Sequence, residues 1–394
     1  MNGKLTKLIT HAYKAVPYYS AILEKPPSSI EDYPVLAKET LRDNPDQFLS
    51  VAHRLGEMVY EYTSGTTGVP LKCGKSKREM MISSKIIWQW RNKWNKKNEF
   101  KRMLTITYNC STMDANVADT NGLFGSLQCA HLSVEDIKKR TPDELLLFIE
   151  RERPSWIVIT PSLFLNLMDK LKKAANWKPG CLEFISVVEF MSEMVTDAIR
   201  ETVQTDLGAR VTSTYGMREC WPIAGECEFG HLHIFEKHVY CENGQENDLL
   251  ITPLDQYAMP LIRYQTKDLA TIQEVNCPCG LTGKCLTNLM GRKSEGFTID
   301  GKTYSTKLFF LLVEGMEKED IMRVEKYKVI YTLEKKIELI LVGQTGEEEA
   351  VKAFATVFIG RHIENKVDIC VTVVEKMNNE KEKWVSFVTL REGE

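Results

Sequence analysis

The chain has 394 residues, a formal net charge of -3, and 43% hydrophobic and 27% charged residues, which is the composition of an ordinary globular protein. This length exceeds what one hydrophobic core usually supports, so we expect two or three domains. The charge balance gives no support to nucleic acid as the main partner, and no apolar run has the length of a membrane span or the character of a signal peptide, so we expect a cytoplasmic protein.

The first predicted element is a helix over residues 4–24, where apolar side chains recur at helical spacing before three prolines mark an extended connector. Residues 77–97 form a second predicted helix, which is basic and contains Trp88, Trp90 and Trp94. Basic and aromatic side chains together can bind nucleic acid. A helix that packs its tryptophans inward and leaves its lysines in water is the more common arrangement, and we expect it here.

Between these helices lies Tyr62-Thr63-Ser64-Gly65-Thr66-Thr67-Gly68-Val69-Pro70-Leu71-Lys72, which we call the hydroxyl loop. It follows a predicted strand, and its small side chains would let backbone N–H groups approach phosphate oxygens. The spacing differs from that of a P-loop, because Gly65 and Gly68 are three residues apart and no Lys-Ser or Lys-Thr pair follows directly. The stretch predicts a phosphate-binding loop, with an ordinary flexible loop as the alternative.

From residue 103 to residue 215 short apolar runs alternate with helical patterns, which favours strands of a largely parallel sheet covered by helices. Ligands of such sheets collect at the carboxyl ends of the strands. From about residue 303 the pattern changes to two strands over 326–342, a helix over 346–360 and a strand over 367–374. This last part predicts a small α+β domain.

Two further motifs carry groups suited to a nucleotide. In Ser213-Thr214-Tyr215-Gly216-Met217-Arg218-Glu219 the tyrosine can stack on a purine, the glycine permits a close turn and the glutamate can hold Mg²⁺. In Pro260-Leu261-Ile262-Arg263-Tyr264-Gln265-Thr266-Lys267-Asp268-Leu269 the aspartate follows a strand and can accept hydrogen bonds from both ribose hydroxyls. Gly291-Arg292-Lys293-Ser294 then opens a region that ends at Gly301.

These motifs, in this order, resemble the core motifs of the adenylate-forming (ANL) superfamily, and within it the branch of phenylacetate-CoA ligase and coenzyme F390 synthetase. The resemblance implies an α/β fold. It would have a large N-terminal adenylate-forming domain with mixed, largely parallel sheets over residues 1–292, which binds ATP and the acyl group. A small, mobile α+β C-terminal lid would cover residues 293–394.

The resemblance also implies an activity. The chain would be an ATP-dependent carboxylate ligase that activates an aryl or arylacetic acid as acyl-AMP and transfers it to the thiol of CoA. Two alternatives stay open: transfer of the acyl group to a separate carrier protein or to an amine, and a non-catalytic nucleotide-binding homologue. The expected cofactors are ATP, Mg²⁺ and CoA, the expected partner is a small carboxylic acid, and a homodimer is a further expectation. Neither nucleic acid nor a membrane is expected.

In members of this superfamily the matching residues bind the nucleotide. Glu219 would hold Mg²⁺, Tyr215 with Gly216 would contact the adenine, and Asp268 would bind the ribose. The triphosphate would be held by the hydroxyl-loop residues Thr63, Ser64, Gly65, Thr66, Thr67 and Gly68. The remaining expected nucleotide contacts come from Ser192 and Glu193, which stand where the family carries a Gly-Glu pair near the adenine, and from Arg292 at the ribose or phosphate.

A lysine near the C-terminus of family members bridges the substrate carboxylate and the phosphate. Here Asn379-Glu380-Lys381-Glu382-Lys383-Trp384-Val385 resembles that region, so Lys381 is the first choice and Lys383 the alternative. The predicted catalytic residues are Lys381, Glu219 and Thr66.

Several positions depart from the pattern of the family. Arg218 replaces a hydroxyl or small residue, Ser294 replaces an acidic hinge residue, and Glu380 replaces the glycine before the lysine.

By analogy with the family, the residues available to enclose an aromatic or apolar acid are Tyr108, Met113, Asn116, Phe124, Met217 and Trp221.

The chain has eleven cysteines, and several of them cluster with histidines between the motifs. They lie in Cys227-Glu228-Phe229-Gly230-His231-Leu232-His233, in Cys277-Pro278-Cys279-Gly280 and at Cys285. Soft thiolates with an imidazole at these spacings suit tetrahedral Zn²⁺, and a site with four protein ligands would be structural. The predicted ligands are Cys227, His233, Cys277 and Cys279, with His231 and Cys285 as substitutes and free thiols as the alternative.

Overall fold

The computed structural model describes residues 3–53, 58–62, 71–94, 102–107, 128–245, 248–292, 297–299, 302–304, 306–319, 321–332, 336–344, 348–363, 367–374 and 387–389. The chain divides into two compact units. The first unit comprises Met1–Lys101, Ser111–Cys129 and Thr212–Met290, and the second comprises Arg102–Cys110, Ala130–Val211 and Gly291–Glu394. The division into domains of 1–292 and 293–394 stays a prediction.

The helices of the described residues are α1 (Gly3–Ala15), α2 (Pro17–Ile22), α3 (Lys38–Asp43), α4 (Lys77–Trp94), α5 (Val134–Lys139), α6 (Pro142–Glu152), α7 (Pro161–Leu171), α8 (Asp197–Leu207), α9 (Lys307–Lys318) and α10 (Glu348–His362). Short 3₁₀ turns lie at Ile30–Asp32 and Pro45–Phe48. Within the part of the chain that the structure describes, no helix combines the length and the apolar character needed to cross a membrane.

The first strands along the chain are β1 (Met58–Tyr62), β2 (Lys72–Ser76), β3 (Arg102–Thr107), β4 (Gln128–Ser133), β5 (Trp156–Ile159), β6 (Val187–Met191), β7 (Arg210–Tyr215), β8 (Ala224–Glu226), β9 (Leu232–Ile234) and β10 (Val239–Asn243). They are followed by β11 (Asp248–Pro253), β12 (Tyr264–Glu274), β13 (Lys284–Arg292), β14 (Phe297–Ile299), β15 (Lys302–Tyr304), β16 (Arg323–Tyr331), β17 (Lys336–Gln344), β18 (Asp368–Val374) and β19 (Phe387–Thr389).

In the first unit the strands follow the order β10-β11-β12-β13-β9-β8, and β8 pairs antiparallel with the end of β7. The pairs β10/β11, β11/β12, β13/β9 and β8/β9 are antiparallel as well. The core beneath them receives the apolar face of α1, on which Leu5, Leu8, Ile9 and Ala12 are buried at helical spacing. The helical pattern predicted over residues 4–24 is present because its apolar stripe has a core to cover, but it forms two helices, since the chain is extended at Val16 before Pro17 begins α2.

In the second unit β3, β5 and β6 are parallel neighbours, as the alternation of apolar runs and helical patterns predicts. Helices α6, α7 and α8 separate the strands along the chain, and each begins at a threonine whose hydroxyl accepts from a backbone N–H of the first turn. These helices and strands share one hydrophobic core. The predicted mixed α/β fold is confirmed.

The last segment of the second unit has a hydrophobic core of its own, drawn from residues 297–371. Its four-stranded sheet has the order β18-β17-β16-β19, with β16 antiparallel to β17 and the two outer pairs parallel. Helices α9 and α10 accompany this sheet. The predicted α+β texture of the C-terminal segment is confirmed.

The tryptophans of helix α4 pack into the protein interior. Trp88, Trp90 and Trp94 are all buried, while most of its basic side chains are not. The packing interpretation of this helix is therefore confirmed.

Candidate active site and cysteine-histidine cluster

The hydroxyl loop is flanked by an antiparallel hairpin of β1 and β2. The register runs from Met58 opposite Ser76 to Tyr62 opposite Lys72, so the two chain ends next to the loop are paired. The residues Thr63, Ser64, Gly65, Thr66, Thr67 and Gly68 lie outside the described residues. Their contacts with a triphosphate stay a prediction.

The Tyr-Gly turn begins at the end of β7, where Tyr215 pairs with Ala224 of β8. A side chain at Gly216 would collide with the indole ring of Trp221, which lies directly against this position. The turn is closed by two backbone hydrogen bonds between Met217 and Cys220, of 2.9 and 3.1 Å. Gly216 is therefore required by the packing of Trp221, independently of any ligand.

Two tyrosines connect the Tyr-Gly turn with strand β12. The hydroxyl of Tyr215 donates to Oδ2 of Asp268 at 2.6 Å, and the hydroxyl of Tyr264 donates to Oε1 of Glu219 at 2.8 Å. Each motif thus supplies one tyrosine and one carboxylate, and each tyrosine holds the carboxylate of the other motif. Burial, followed by the charge of Asp268, raises the pKa of Tyr215 well above its usual value, so the phenol remains a proton donor.

Asp268 owes its position to an irregularity in β12. The register with β11 shifts between Asp248 and Leu250, and Lys267 adopts a left-handed φ of 65°. The backbone N–H of Asp268 donates to Oγ1 of Thr266 at 3.0 Å. Bulges of this kind redirect a side chain out of the alternation of a strand.

Glu219 is buried, with 4% of its surface exposed, and Tyr264 is its hydrogen-bond donor within the described chain. Among the described residues no lysine or arginine forms an ion pair with it. A buried carboxylate needs donors or a cation, because desolvation disfavours its charge. The position of Glu219 is compatible with a role as a ligand of a divalent cation.

Ser192 and Glu193 follow strand β6 in the second unit. Ser192 has a left-handed φ of 68°, a conformation that suits the glycine which the family carries at this position. Glu193 accepts from the backbone N–H and the hydroxyl of Ser162, at 2.9 and 2.8 Å, and so caps the start of α7. Its carboxylate has a structural task, and its contact with adenine stays a prediction.

The remaining predicted positions are described in part or not at all. Arg292 ends strand β13, and its side chain lies outside the described residues. Lys381, Lys383, Glu380 and Ser294 are outside them too, as are the pocket candidates Tyr108, Met113, Asn116 and Phe124. Their roles stay predictions.

The structure brings Cys227, His233, Cys277 and Cys279 together, with their ligand atoms all within 4.8 Å of one another. The sulfur atoms of Cys227 and Cys277 are 3.5 Å apart, and Sγ of Cys279 is 3.4 Å from Nε2 of His233. These four are the first-choice ligands of the sequence analysis. Their identity as ligands of a metal stays a prediction.

The two substitute ligands lie around this group. Cys285 contacts the other ring nitrogen of His233, since its sulfur is 3.4 Å from Nδ1. His231 contacts Cys277 through Nδ1 at 3.0 Å. Burial opposes ionisation of Cys277, but hydrogen bonds from the Cys279 backbone and side chain and from both histidines lower its pKa to about 6, whereas burial raises the pKa of Cys227 to about 12.

Trp90 of α4 covers the cluster on one side. Its ring lies 6.2 Å from the ring of His233 and 5.6 Å from that of Phe235. A side chain at Gly225, which is opposite His233 across β8 and β9, would collide with the same indole. Helix α4 therefore covers the β8/β9 hairpin, which carries the cluster residues Cys227 and His233.

Sequence reasoning missed two features of this site. Tyr264 lies inside a motif that was quoted for its aspartate, yet it anchors Glu219. Glu61 and Lys75 form a buried ion pair of 2.6 Å at the base of the hydroxyl loop. The sequence signal was a glutamate in β1 and two lysines in β2, and charged residues in short strands are too common to be specific.

We expect Tyr264→Phe to lower the free energy of unfolding by about 1–3 kcal/mol, because the buried Glu219 loses its hydrogen-bond donor. Urea denaturation monitored by tryptophan fluorescence measures the effect. Tyr18→Phe is the matched control: its ring stacks on Phe48, and its hydroxyl has no hydrogen-bond partner among the described residues, so we expect a change within about 0.5 kcal/mol. Equal midpoints for the two variants would contradict the anchoring role.

Comparison with known proteins identifies the family of this chain. The family model described as "AMP-binding enzyme" matches residues 36–241, more than half of the chain. The phenylacetate-coenzyme A ligase of Thermus thermophilus is 26% identical over 336 residues, which cover 79% of this chain and 74% of that protein. The phenylacetate-coenzyme A ligase of Aromatoleum evansii is 24% identical over 406 aligned positions, which cover 92% and 87% of the two chains.

Among solved structures, 2-hydroxyisobutyryl-CoA ligase in its postadenylation state with 2-HIB-AMP is similar in fold, with a TM-score of 0.79. The superposition covers 99% of this chain and 89% of that chain at 16% sequence identity. Together these findings confirm the resemblance noted in the sequence: the chain belongs to the AMP-binding enzyme family, in the phenylacetate-CoA ligase-like branch of the adenylate-forming ligases.

Proposed function

We propose that this protein activates an aryl or arylacetic acid with ATP and transfers the acyl group to the thiol of CoA. The observation that carries the proposal is the reciprocal pair of hydrogen bonds by which Tyr215 holds Asp268 and Tyr264 holds Glu219. These hydrogen bonds join the turn after β7 to β12 within one unit, and they support the proposal that Asp268 and Glu219 bind the same nucleotide. Membership of the AMP-binding family supports the same reading.

The reaction has two steps. A carboxylate oxygen of the acid attacks the α-phosphorus of ATP, and pyrophosphate leaves, which gives the acyl-AMP. The sulfur of CoA then attacks the acyl carbon, AMP leaves, and a thioester forms. The first step depends on neutralising and positioning phosphate charge more than on acid-base catalysis, because the protein breaks no C–H or O–H bond in it.

The residues of this chain would bind and orient the reactants. Asp268 would accept hydrogen bonds from the ribose hydroxyls, and its contact with Tyr215 fixes the carboxylate for that purpose. Glu219 would hold Mg²⁺, a hard cation that prefers carboxylate oxygens and that neutralises triphosphate charge when bound. The fit rests on a buried carboxylate that meets no cationic side chain among the described residues. Thr66, with the other residues of the hydroxyl loop, would hold the phosphates.

The named relatives support an aromatic substrate. Both phenylacetate-coenzyme A ligases described above are 24–26% identical to this chain over the aligned region. The structural neighbour with 2-HIB-AMP shares the fold and carries a small aliphatic acyl group, so the fold alone does not select the acid. Met217 and Trp221, which form and cover the Tyr-Gly turn, are the described candidates for the wall of the acyl pocket.

We propose further that residues 293–394 act as the lid of a domain formed by residues 1–292. The separate hydrophobic core of residues 297–371 supports this division, because a segment with its own core can move as a body. The last segment of the second unit begins at Gly291, next to the expected boundary.

We expect acid-dependent exchange of labelled pyrophosphate into ATP with benzoates or arylacetates, and much less with short fatty acids or amino acids. Exchange reports the first step alone, so it does not depend on the acceptor. Formation of a CoA thioester in the presence of the same acid then distinguishes CoA from a carrier protein or an amine. ATP binding without exchange for any acid would contradict the proposal and favour a non-catalytic homologue.

Replacement of the expected catalytic lysine tests the first step separately. We expect Lys381→Ala to slow exchange by about 100-fold or more while ATP binding is retained, because the lysine would contact the carboxylate and phosphate as charge develops. Lys383→Ala is the matched control, two residues away with the same loss of charge. Normal exchange in Lys381→Ala, with loss in Lys383→Ala, would move the role to Lys383.

We propose that Cys227, His233, Cys277 and Cys279 hold a structural zinc ion. Zinc bonds of about 2.3 Å to sulfur and about 2.0–2.1 Å to nitrogen put two tetrahedral ligand atoms about 3.5–3.8 Å apart. The spacings of 3.5 Å between Cys227 and Cys277 and 3.4 Å between Cys279 and His233 fit this pattern. Cys285 contacts Nδ1 of His233, which leaves Nε2 toward the cluster, so we place Cys285 behind the ligand.

We expect one zinc ion per chain after metal-replete expression, measured by mass spectrometry of the purified protein. Cys277→Ser should lose the metal and lower the unfolding midpoint, because the ion crosslinks segments about 50 residues apart in the chain. Cys370→Ser changes an exposed cysteine of β18 and should keep the full zinc content. A trace amount of zinc in the wild-type protein would contradict the assignment and favour free thiols.

A further inference from the structure

A buried lysine stands in the hairpin that carries the hydroxyl loop. Lys75 lies on β2, and its Nζ is 2.6 Å from Oε2 of Glu61 on β1. Both side chains are 8% exposed. In the register of the hairpin Glu61 is opposite Cys73, so Lys75 is its diagonal neighbour on the same face. The pair closes the hairpin just before Tyr62 leads into the loop.

The same ammonium group reaches a second motif. Nζ of Lys75 donates to the backbone carbonyl of Arg218 at 2.7 Å, and the guanidinium of Arg218 is 3.4 Å from Oε1 of Glu61. Arg218 directly precedes Glu219. One lysine therefore connects the base of the hydroxyl loop with the turn that carries the expected Mg²⁺ ligand, across 143 residues of sequence.

The pKa values of two buried cysteines, Cys73 and Cys220, respond to the charged groups near the β1/β2 hairpin and the Glu219 turn. Cys73 is buried on β2, and its pKa is raised to about 12 by burial and by the charge of Glu219, against the opposing charge of Lys75. Burial likewise raises the pKa of Cys220 to about 12, with the same two charged groups acting on it. The charges of Lys75 and Glu219 thus both affect the pKa values of the same two buried thiols.

Stability alone does not explain such a pair. Removing two charges from water is expensive, and buried ion pairs can often be replaced by apolar residues of similar volume without loss of stability. Their best-supported benefit is to select one arrangement of the backbone among several. Here that arrangement is the placement of the loop hairpin relative to the Glu219 turn.

We propose that Lys75 is a positioning residue that sets the described β1/β2 hairpin against the Glu219 turn, through Glu61 on one side and the Arg218 carbonyl on the other. The inference rests on the proposed function, in which loop and turn bind the phosphates and Mg²⁺ of one nucleotide. Glu61 neutralises the ammonium and orients it, while the hydrogen bond to the carbonyl transmits the position.

The test compares Lys75→Met with the double variant Glu61→Gln/Lys75→Met. Lys75→Met leaves Glu61 buried without its lysine, and we expect both a lower unfolding midpoint and a KM for MgATP raised about tenfold or more in pyrophosphate exchange. In the double variant Glu61→Gln removes the carboxylate that Lys75→Met alone leaves buried without its lysine, so we expect the unfolding midpoint to recover. The KM should stay raised, because the donor to the Arg218 carbonyl is still missing.

A conservative variant and a matched control complete the set. Lys75→Arg keeps a cationic donor and should recover part of the affinity for MgATP. Lys4→Met removes a lysine that, like Lys75, contacts a carboxylate and a backbone carbonyl, with Nζ 2.7 Å from Asp255 and 2.9 Å from the carbonyl of Lys237. It lies on α1, away from both motifs in sequence, and its KM should equal that of the wild type.

A wild-type KM in the double variant would overturn the proposal, because the effect of Lys75→Met would then be one of stability. Calorimetric titration with MgATP gives a dissociation constant without any acid, so the role of Lys75 is measured even if no acid supports exchange. A wild-type protein that exchanges pyrophosphate normally, with Lys75→Met unchanged, refutes this inference alone. A wild-type protein that binds no ATP refutes the proposed function and this inference together.

Discussion

Two phenol-carboxylate hydrogen bonds hold the candidate active site together. Tyr215 and Asp268 form one, Glu219 and Tyr264 form the other, and each bond joins the turn after β7 to strand β12. Glu219 is buried, and a buried carboxylate without donors is destabilising by several kcal/mol, so the turn depends on Tyr264 of β12. Asp268 is partly exposed, and Tyr215 of the turn orients its carboxylate. The two segments are therefore interdependent before any nucleotide binds. The bulge at Lys267 and the tryptophan on Gly216 serve this arrangement, because they determine where the two carboxylates lie.

The hairpin of the hydroxyl loop is joined to the same turn by a charged contact. Lys75 donates hydrogen bonds to the carboxylate of Glu61 and to the carbonyl of Arg218. Charge-assisted hydrogen bonds of this kind are stronger than neutral ones, and this lysine is buried. The lysine contact comes from β2, and the tyrosine contacts join the turn to β12. Loop hairpin, turn and strand thus meet at Glu219, although they come from three distant parts of the sequence. Such long-range polar contacts suit a site that must hold a highly charged ligand without rearranging.

The cysteine-histidine cluster belongs to the same framework. Strand β8 pairs with β7 on one side and with β9 on the other, so Tyr215 lies on the strand directly beside the β8/β9 hairpin that carries His233. Trp90 packs over His233, and Gly225 makes room for its indole. A metal ion in the cluster would fasten this hairpin to residues 277–279, and it would support the nucleotide motifs without contacting them. The cluster is part of the scaffold in this view, and the reacting atoms lie elsewhere.

Local patterns in the sequence predicted the N-terminal helices, the tryptophan-containing helix α4, the parallel strands of the second unit and the C-terminal α+β segment, together with the family motifs and the grouping of the four cluster residues. They did not predict most of the antiparallel strands between residues 224 and 292. Helical periodicity indicates a buried face, and closely spaced thiols with a histidine predict a metal site, which stays a prediction although the four side chains lie together. The partners of the motifs were decided by the tertiary structure alone. Tyr264 and Glu219 are 45 residues apart and Lys75 and Arg218 are 143 apart, so no local pattern connects them. The strand order brings these groups together. A buried polar or charged group must form hydrogen bonds or ion pairs with the groups that the fold places beside it, because burial removes it from water.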